Sequence, residues 1–573
     1  MQRTIPSFPR KRQVVLPGTA AIALLLLAAC VRLSVTPSGT VPARASGPYD
    51  ILITNARIVD GTGNPWYRGS VATAGDRIAY VGVSLPGQTA RRVIDARGQV
   101  VSPGFIDMLG HSEGSILRGP HAVSKITQGI TSEITGEVTS AWPNYSKGEA
   151  PPATQGWRSL DGYFRELERR GAAINLGTYV GTSSVRRAVM GLEKRSPTHI
   201  EMAQMGALVD SAMRDGAMGL GTGLIYLPST FFTTDELIAL TKYVVPYRGG
   251  YATHMRSEGA GLLEAVRETI RIASGAGTWA QIRHIKSRSA TQMAQALAII
   301  DSARKAGIDV TADQYPYIAS GTGLSAMLNT WVQEGGSDSM VTRLREPAVR
   351  ARLKTELGED SAAGIRTAER TMVNSVSADS LKRFQGMRLT DIAKAWGKAD
   401  AYDAAFDLLI GDGGRTSAIY FSFNEDALRL AMQKPWVSVG QDAGAVSPDS
   451  AGRFGERGHP RGFGTFPRIL GRYVRQDSVI TLEFAIRKMT SLAAQRVGLH
   501  DRGLLRAGMY ADITVFDAET IIDRSTYEQP QQLSTGVSYV MVNGVPVVDD
   551  GKVTFALPGR ALRGPGYLQR VRR

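Results

Sequence analysis

Residues 103–114 read PGFIDMLGHSEG. The run through Gly104, Phe105, Ile106 and Asp107 predicts a short buried strand, and the chain turns polar directly after it. The first strand of a parallel barrel has this form, because barrel sites gather at the C-terminal ends of the strands. The stretch also poses a chemical question. His111 stands alone after the strand. Two positions earlier, on the same side of the chain, stands the apolar Leu109.

Working outward, the segment before it alternates short β-rich runs with turns (YDILITNARIVDGTG, GSVATAGDRIAYVG, RRVIDARGQVVSPGF). The pairs Asp60-Gly61 and Gly75-Asp76 are hairpin punctuation. The far end does the same in GMYADITVFD and VSYVMVNGVPVVDDGKVT. Residues 49–102 and 500–560 therefore predict one small β-sandwich domain built from both chain ends. Between them, residues 103–499 alternate strand-like runs with amphipathic helical ones, the pattern of βα units. Strand candidates are GAMGLGTGLIY (216–226), GYATHMRSE (250–258), AQIRHIKS (280–287), IDVTADQYPY (308–317) and WVSVGQDAG (436–444). A charged helical stretch, MVTRLREPAVRARLKTEL, breaks the rhythm, so residues 325–400 or thereabouts read as an inserted lid or subdomain.

The 573 residues exceed one small core, and 63 glycines suit a fold with many tight strand-to-helix turns. The net charge of +15 lies partly at the ends, in Arg3, Arg10, Lys11 and Arg12 and in Arg560, Arg563, Arg570, Arg572 and Arg573. No basic run interleaved with aromatics occurs inside the chain, which argues against a nucleic-acid partner; attraction to anionic envelope surfaces is the simpler meaning of the charge. The single cysteine, Cys30, follows AAIALLLLAA, an apolar run of signal-peptide length behind a basic start. Leu27-Ala28-Ala29-Cys30 resembles a bacterial lipobox. Residues 1–29 are thus expected to be a lipoprotein signal peptide, with Cys30 lipidated and residues 30–48 a Pro-, Ser- and Gly-rich tether. The expected location is the bacterial cell envelope, facing the periplasm; the alternative is an ordinary signal peptide and a soluble secreted or periplasmic protein. With one cysteine, no disulfide can form within the chain.

Of seven histidines, His254 in YATHMRSEG and His284 in QIRHIKS each end a predicted strand in neighbouring βα units. Two such imidazoles point at the same barrel mouth and suit Zn²⁺ or a similar borderline metal. Asp442, in VSVGQDAG, ends the strand that should close the barrel. A carboxylate there can take a proton from an activated water and pass it to a leaving amine. His121, His199 and His500 fall on helix or loop sequence and are read as ordinary.

The runs GFID, THMRSEG, RHIKS, DVTADQYPY, HPRGFGTFPRILGRYVR and AIRKMTSLAAQRVGLHDRGLLRAGMYADITVFD together resemble the amidohydrolase superfamily, and within it the D-aminoacylases, or N-acyl-D-amino-acid deacylases. The resemblance spans roughly residues 50–555. It implies an α/β fold, a (β/α)8 TIM-type barrel with a small β domain, and hydrolysis of the amide of N-acyl-D-amino acids, or of related D-amino-acid-containing dipeptides, by a zinc-activated water. It also implies that His254 and His284 are zinc ligands and that Asp442 is the general base. The substrate is then a small molecule with a free carboxylate, held by an Arg, a Lys and a Tyr, which match Arg461, Lys286 and Tyr317.

Two departures bear on the metal. Where the family has a ligating cysteine after the second strand, this chain has Gly136-Glu137-Val138, so Glu137 is the expected third ligand. Glu133 lies one strand position too deep. The family's wider relatives build a second metal position from a His-x-His pair and a bridging lysine. Here Leu109 breaks the pair, and no lysine lies in GAMGLGTGLIY. The expectation is one Zn²⁺ per chain, with His111 lining the pocket, hydrogen-bonding Asp442 or touching a weak second metal. Competing readings are a hydrolase of cyclic amides or of isoaspartyl or D-dipeptides within the same superfamily, and a catalytically silent envelope binding protein.

Overall fold

The computed structural model describes residues 48–84, 87–149, 156–359, 367–449 and 453–567. The expected signal peptide, Cys30 and the tether lie outside the described residues. Among the described residues, no helix is long and apolar enough to cross a membrane.

Eight parallel strands carry the site: β1 (Phe105–Asp107), β2 (Ile130–Thr135), β3 (Asn175–Thr178, continued by Val180–Gly181), β4 (Gly219–Gly223), β5 (Gly250–His254), β6 (Ala280–Ile282), β7 (Val310–Gln314) and β8 (Val437–Val439). Neighbours pair in parallel in chain order. The ring closes between its last and first strands. The Met108 amide donates to Val439 O at 3.1 Å, and the Asp442 amide to Leu109 O at 2.7 Å. Side chains alternate along each strand. Ile106, Ile134 and Ala252 fill the barrel interior with Met108 and Tyr179. His254 has the parity of Ala252, so it points into the barrel at its mouth.

The terminal segments meet in one nine-stranded sheet. Its hinge is Val100–Pro103, which pairs parallel with Tyr49–Ile58 and antiparallel with Ile513–Phe516. The last residue of that hinge strand, Pro103, leads into β1 through Gly104, so the small domain holds the entry to the barrel.

Between β7 and β8 the chain leaves the barrel. The helical sequence anticipated at 325–400 lies inside this longer excursion. It also contains a three-stranded antiparallel sheet of Ala319–Gly323, Ser417–Phe421 and Thr371–Ser375. The excursion has its own apolar core, including Leu324, Val332, Leu353, Phe406 and Tyr420.

Candidate metal and catalytic site

Glu137 reaches the barrel mouth because the backbone turns sharply just before it. Gly136 has φ +88°, and a Cβ there would lie 2.2 Å from Tyr179 O. Only glycine fits so close to a neighbouring strand. The turn throws Glu137 over the strand ends, where it meets His254 and His284. Its Oε1 is 3.1 Å from His284 Nε2 and 3.8 Å from His254 Nδ1. All three side chains are buried.

This trio fits a metal ion. Oε1 of Glu137 is fully buried yet has no aligned hydrogen-bond donor, and neither has Nε2 of His254. Orphaned buried polar atoms are costly unless something fills the gap. The ligand atoms of Glu137, His254 and His284 lie within 4.8 Å of one another. Two imidazoles and a carboxylate form a donor set suited to Zn²⁺. The electrostatics agree. Burial pushes His254 down to about 3. Burial and Lys286 oppose a charge on His284, but Glu258 and Asp442, with Glu137, raise it to about 10. The acidic groups around His284 therefore favour a cation at this place, and the neutral His254 can offer it a lone pair.

Asp442 stands beside this trio with φ +59°, a left-handed conformation held by its amide bond to Leu109 O. Its Oδ1 is 2.9 Å from His111 Nε2, and its Oδ2 is 2.7 Å from Arg461 Nη1. Burial alone would raise its pKa, but Arg461 and His111 hold it well below the carboxylate range. Of the three duties open to His111, the structure displays two: it lines the cavity and contacts Asp442. A second set, His111, Glu137 and Asp442, also lies within metal-ligand reach and shares Glu137 with the first. Leu109 itself is buried beside Gly440, whose added Cβ would meet it at 2.8 Å, and it offers a metal no donor.

Lys286 and Arg461 both line a cavity of about 350 Å³ above the trio, together with His111, Asp442 and Tyr226. Tyr317, expected beside them, does not line it. Its hydroxyl instead donates to Asp523 Oδ2 at 3.2 Å, and the Arg468 guanidinium lies over its ring. The neighbouring Tyr315 does not line that cavity either, but it touches both cations: Lys286 Nζ donates to the Tyr315 hydroxyl at 3.1 Å, and Arg461 lies over the Tyr315 ring. The physical reason is that β7 ends at Gln314, so the strand's alternation no longer governs residues 315–317.

Two residues that the sequence reading passed over belong to the site. Glu258 is buried, with Oε1 2.9 Å from both His284 Nδ1 and Lys286 Nζ. Lys286 and the two histidines overcome its burial and hold it well below the carboxylate range. It backs His284 as a carboxylate backs a metal-ligating imidazole. His459 is buried and kept neutral by burial, then by Arg461. Its Nδ1 accepts from the Arg461 amide at 3.0 Å, and its Nε2 lies 3.2 Å from Ala319 O. Both residues sit inside quoted motifs, HMRSEG and HPRGFG, and ligand-type side chains within such motifs were the available signal.

On the face of β1 and β2 opposite Ile106 and Ile134 lies a second acidic group. Lys125 Nζ is 2.8 Å from Asp107, 3.2 Å from Glu133 and 2.7 Å from Ala443 O, with all three side chains fully buried. Glu133 also accepts from the amide and hydroxyl of Ser112. Asp107 accepts from the amides of Leu109 and Gln441. A Cβ on Gly110 would collide with Glu133.

A closed parallel barrel with histidines and a carboxylate at its C-terminal mouth defines a metal-dependent hydrolase of the amidohydrolase type. The chain belongs to the amidohydrolase family, whose model matches residues 92–548. It is 32% identical over 529 residues to a D-aminoacylase from Alcaligenes xylosoxydans xylosoxydans, covering 90% of this chain and 98% of that protein. Among solved structures it is similar to an N-acyl-D-glutamate deacylase from Bordetella bronchiseptica complexed with zinc and a phosphonate mimic of the tetrahedral intermediate. That match has a TM-score of 0.74 and 31% identity, over 90% of this chain and 100% of the other. It is also similar to a D-aminoacylase studied for its binuclear metal center, with one-metal activation and second-metal attenuation (TM-score 0.75, 32% identity, 90% and 100% covered).

Proposed function

We propose that this chain is a zinc-dependent deacylase that releases D-amino acids from N-acyl-D-amino acids. The observation that carries the reading is the buried Glu137–His254–His284 trio with an orphaned carboxylate oxygen at its centre, set beside Asp442 in an open cavity. When bound there, zinc supplies the acidity that activates a water and polarises the scissile carbonyl. Asp442 accepts the proton of the attacking water and returns it to the departing amine. His111 fixes the direction of Oδ1. Arg461 and Lys286 receive the substrate carboxylate, Arg461 exchanging its contact with Asp442 for the incoming anion.

One zinc per chain is the stoichiometry supported best. Leu109 offers no donor beside His111, and the Asp442 of the second ligand set is already engaged by Arg461 and His111. We further propose a lipid anchor at the bacterial envelope, supported by the lipobox-like Leu27-Ala28-Ala29-Cys30 behind an apolar run; Cys30→Ser should release the protein from the membrane fraction.

The test is zinc analysis with a chiral assay of amino-acid release. The wild type is expected to hold about one zinc and to favour N-acetyl-D- over N-acetyl-L-amino acids. Asp442→Asn should keep the zinc and lose about 10²–10⁴-fold in kcat. A folded Asp442→Asn protein of normal activity would overturn the assignment of the base.

A further inference from the structure

A second chamber, of about 570 Å³, adjoins the catalytic cavity, and Tyr226 lines both. The Tyr226 hydroxyl lies 2.9 Å from Thr322 Oγ1, so a side-chain contact between a barrel loop and the insertion forms part of the partition. Beyond it, the chamber is walled by the helix Thr182–Met190 after β3 and by the insertion, with Leu192 and Met340 as apolar lining and Gln333 as polar lining. The second chamber is larger than the first, so the space available extends well beyond the scissile amide and its α-carboxylate.

The charge of the second chamber is specific. Around it, Lys147 pairs with Glu193 at 2.9 Å, Arg195 with Glu193 and Glu201, and Lys194 with Glu334 at 2.7 Å. Arg187 lines the chamber and, among the described residues, its side chain has no carboxylate partner. It is half-buried. A guanidinium left without an anion in a roomy cleft, while Lys147, Lys194 and Arg195 beside it are paired, is suited to receive an anion.

Resting on the deacylase reading, we propose that the second chamber binds a second anionic group of the substrate, remote from the α-carboxylate, through Arg187. That group is a carboxylate on either the acyl part or the amino-acid side chain. The substrate is then a dianion whose two charges are read by two separate sets of cations, Lys286 with Arg461 at one end and Arg187 at the other.

The test compares N-acetyl-D-alanine, N-succinyl-D-alanine and N-acetyl-D-glutamate in the full-length protein, as kcat/KM and as binding by calorimetry. One dianion should exceed N-acetyl-D-alanine by about tenfold or more, the size of one charge-assisted contact. Arg187→Gln should collapse that ratio through KM, and Arg187→Lys should restore part of it. Which dianion is favoured assigns the anion to the acyl group or to the side chain. A ratio near one in the wild type, or a ratio that Arg187→Gln leaves unchanged, overturns the proposal. Dianion binding that needs Arg187, without turnover of any of the three compounds, would refute the deacylase reading and leave the chamber's assignment standing.

Discussion

Glu133 and Glu137 are four residues apart, both fully or nearly buried at the end of β2, and they meet opposite circumstances. Glu133 has Lys125, the Ser112 amide and the Ser112 hydroxyl on its two oxygens. Glu137 faces two imidazoles, with one oxygen lacking any aligned donor. The first cluster is a closed network that braces the loops after β1 and β8. The second is an open one that awaits a cation. Burial of an acid therefore does not mark a site; incomplete satisfaction of a buried acid does.

The sharpest break of this comparison is Glu137→Ala. Zinc per chain should fall towards zero and activity by roughly 100-fold or more, since even outer partners of metal ligands carry factors of 10–100. Glu137→Cys should retain the metal, as thiolate sulfur is an accepted zinc donor. Elemental analysis decides both.

Next in size is Lys125→Met, which leaves Asp107 and Glu133 buried without their cation. It should destabilise the fold by about 3–5 kcal/mol in denaturant unfolding. The triple change Asp107→Asn, Lys125→Met, Glu133→Gln should cost less than the single one, because no uncompensated charge remains. Glu258→Gln is expected to weaken zinc binding by about 10–100-fold in chelator competition while the fold persists.

The smallest effect concerns a buried cation with no carboxylate. Lys488 donates to the carbonyls of Lys434 and Val437, at the start of β8, and burial followed by Arg487 lowers it to about 7. Unfolded, the group titrates near 10.4. Between these values the unfolded chain binds the extra proton, so this group's contribution to stability rises with pH from about 7 to about 10.4 and is flat outside that window. Lys488→Met should flatten that part of the stability–pH curve.

The barrel was legible because its strands obey simple rules. YATH and VTADQ alternate faces, and their polar ends point at one mouth. His254, His284 and Asp442 were singled out by their place at strand ends; only His254 lies within its strand, while His284 and Asp442 sit just past theirs with positive φ, and Glu137 needed a family pattern to single it out. Tyr317 was misplaced because strand parity stops at Gln314, beyond which loop packing around Asp523 decides direction. Glu258 escaped notice because its approach to His284 and Lys286 depends on how the loop after β5 folds back, which no periodicity encodes. The strand at 319–323, ASGTG, lacks β-branched bulk except for one threonine, so it gave no strand signal. Nothing in the sequence singled out Arg187. Its lack of an acidic partner is a fact of three dimensions.

That weak strand has a consequence for how such an enzyme diversifies. Ser320, Gly321 and Thr322 line the catalytic cavity, and Gly321 O accepts from Arg461 at 2.9 Å. Just past it, the chain enters a body with a separate apolar core. Grafting another sequence between Gly323 and Ser417 would exchange the insertion's wall of the second chamber, with Ser325, Gln333 and Met340, while leaving the lining of the catalytic cavity, the base, the histidines and Arg461 in place. Appetite for new substrates can thus be inherited as a cassette, independently of the chemistry.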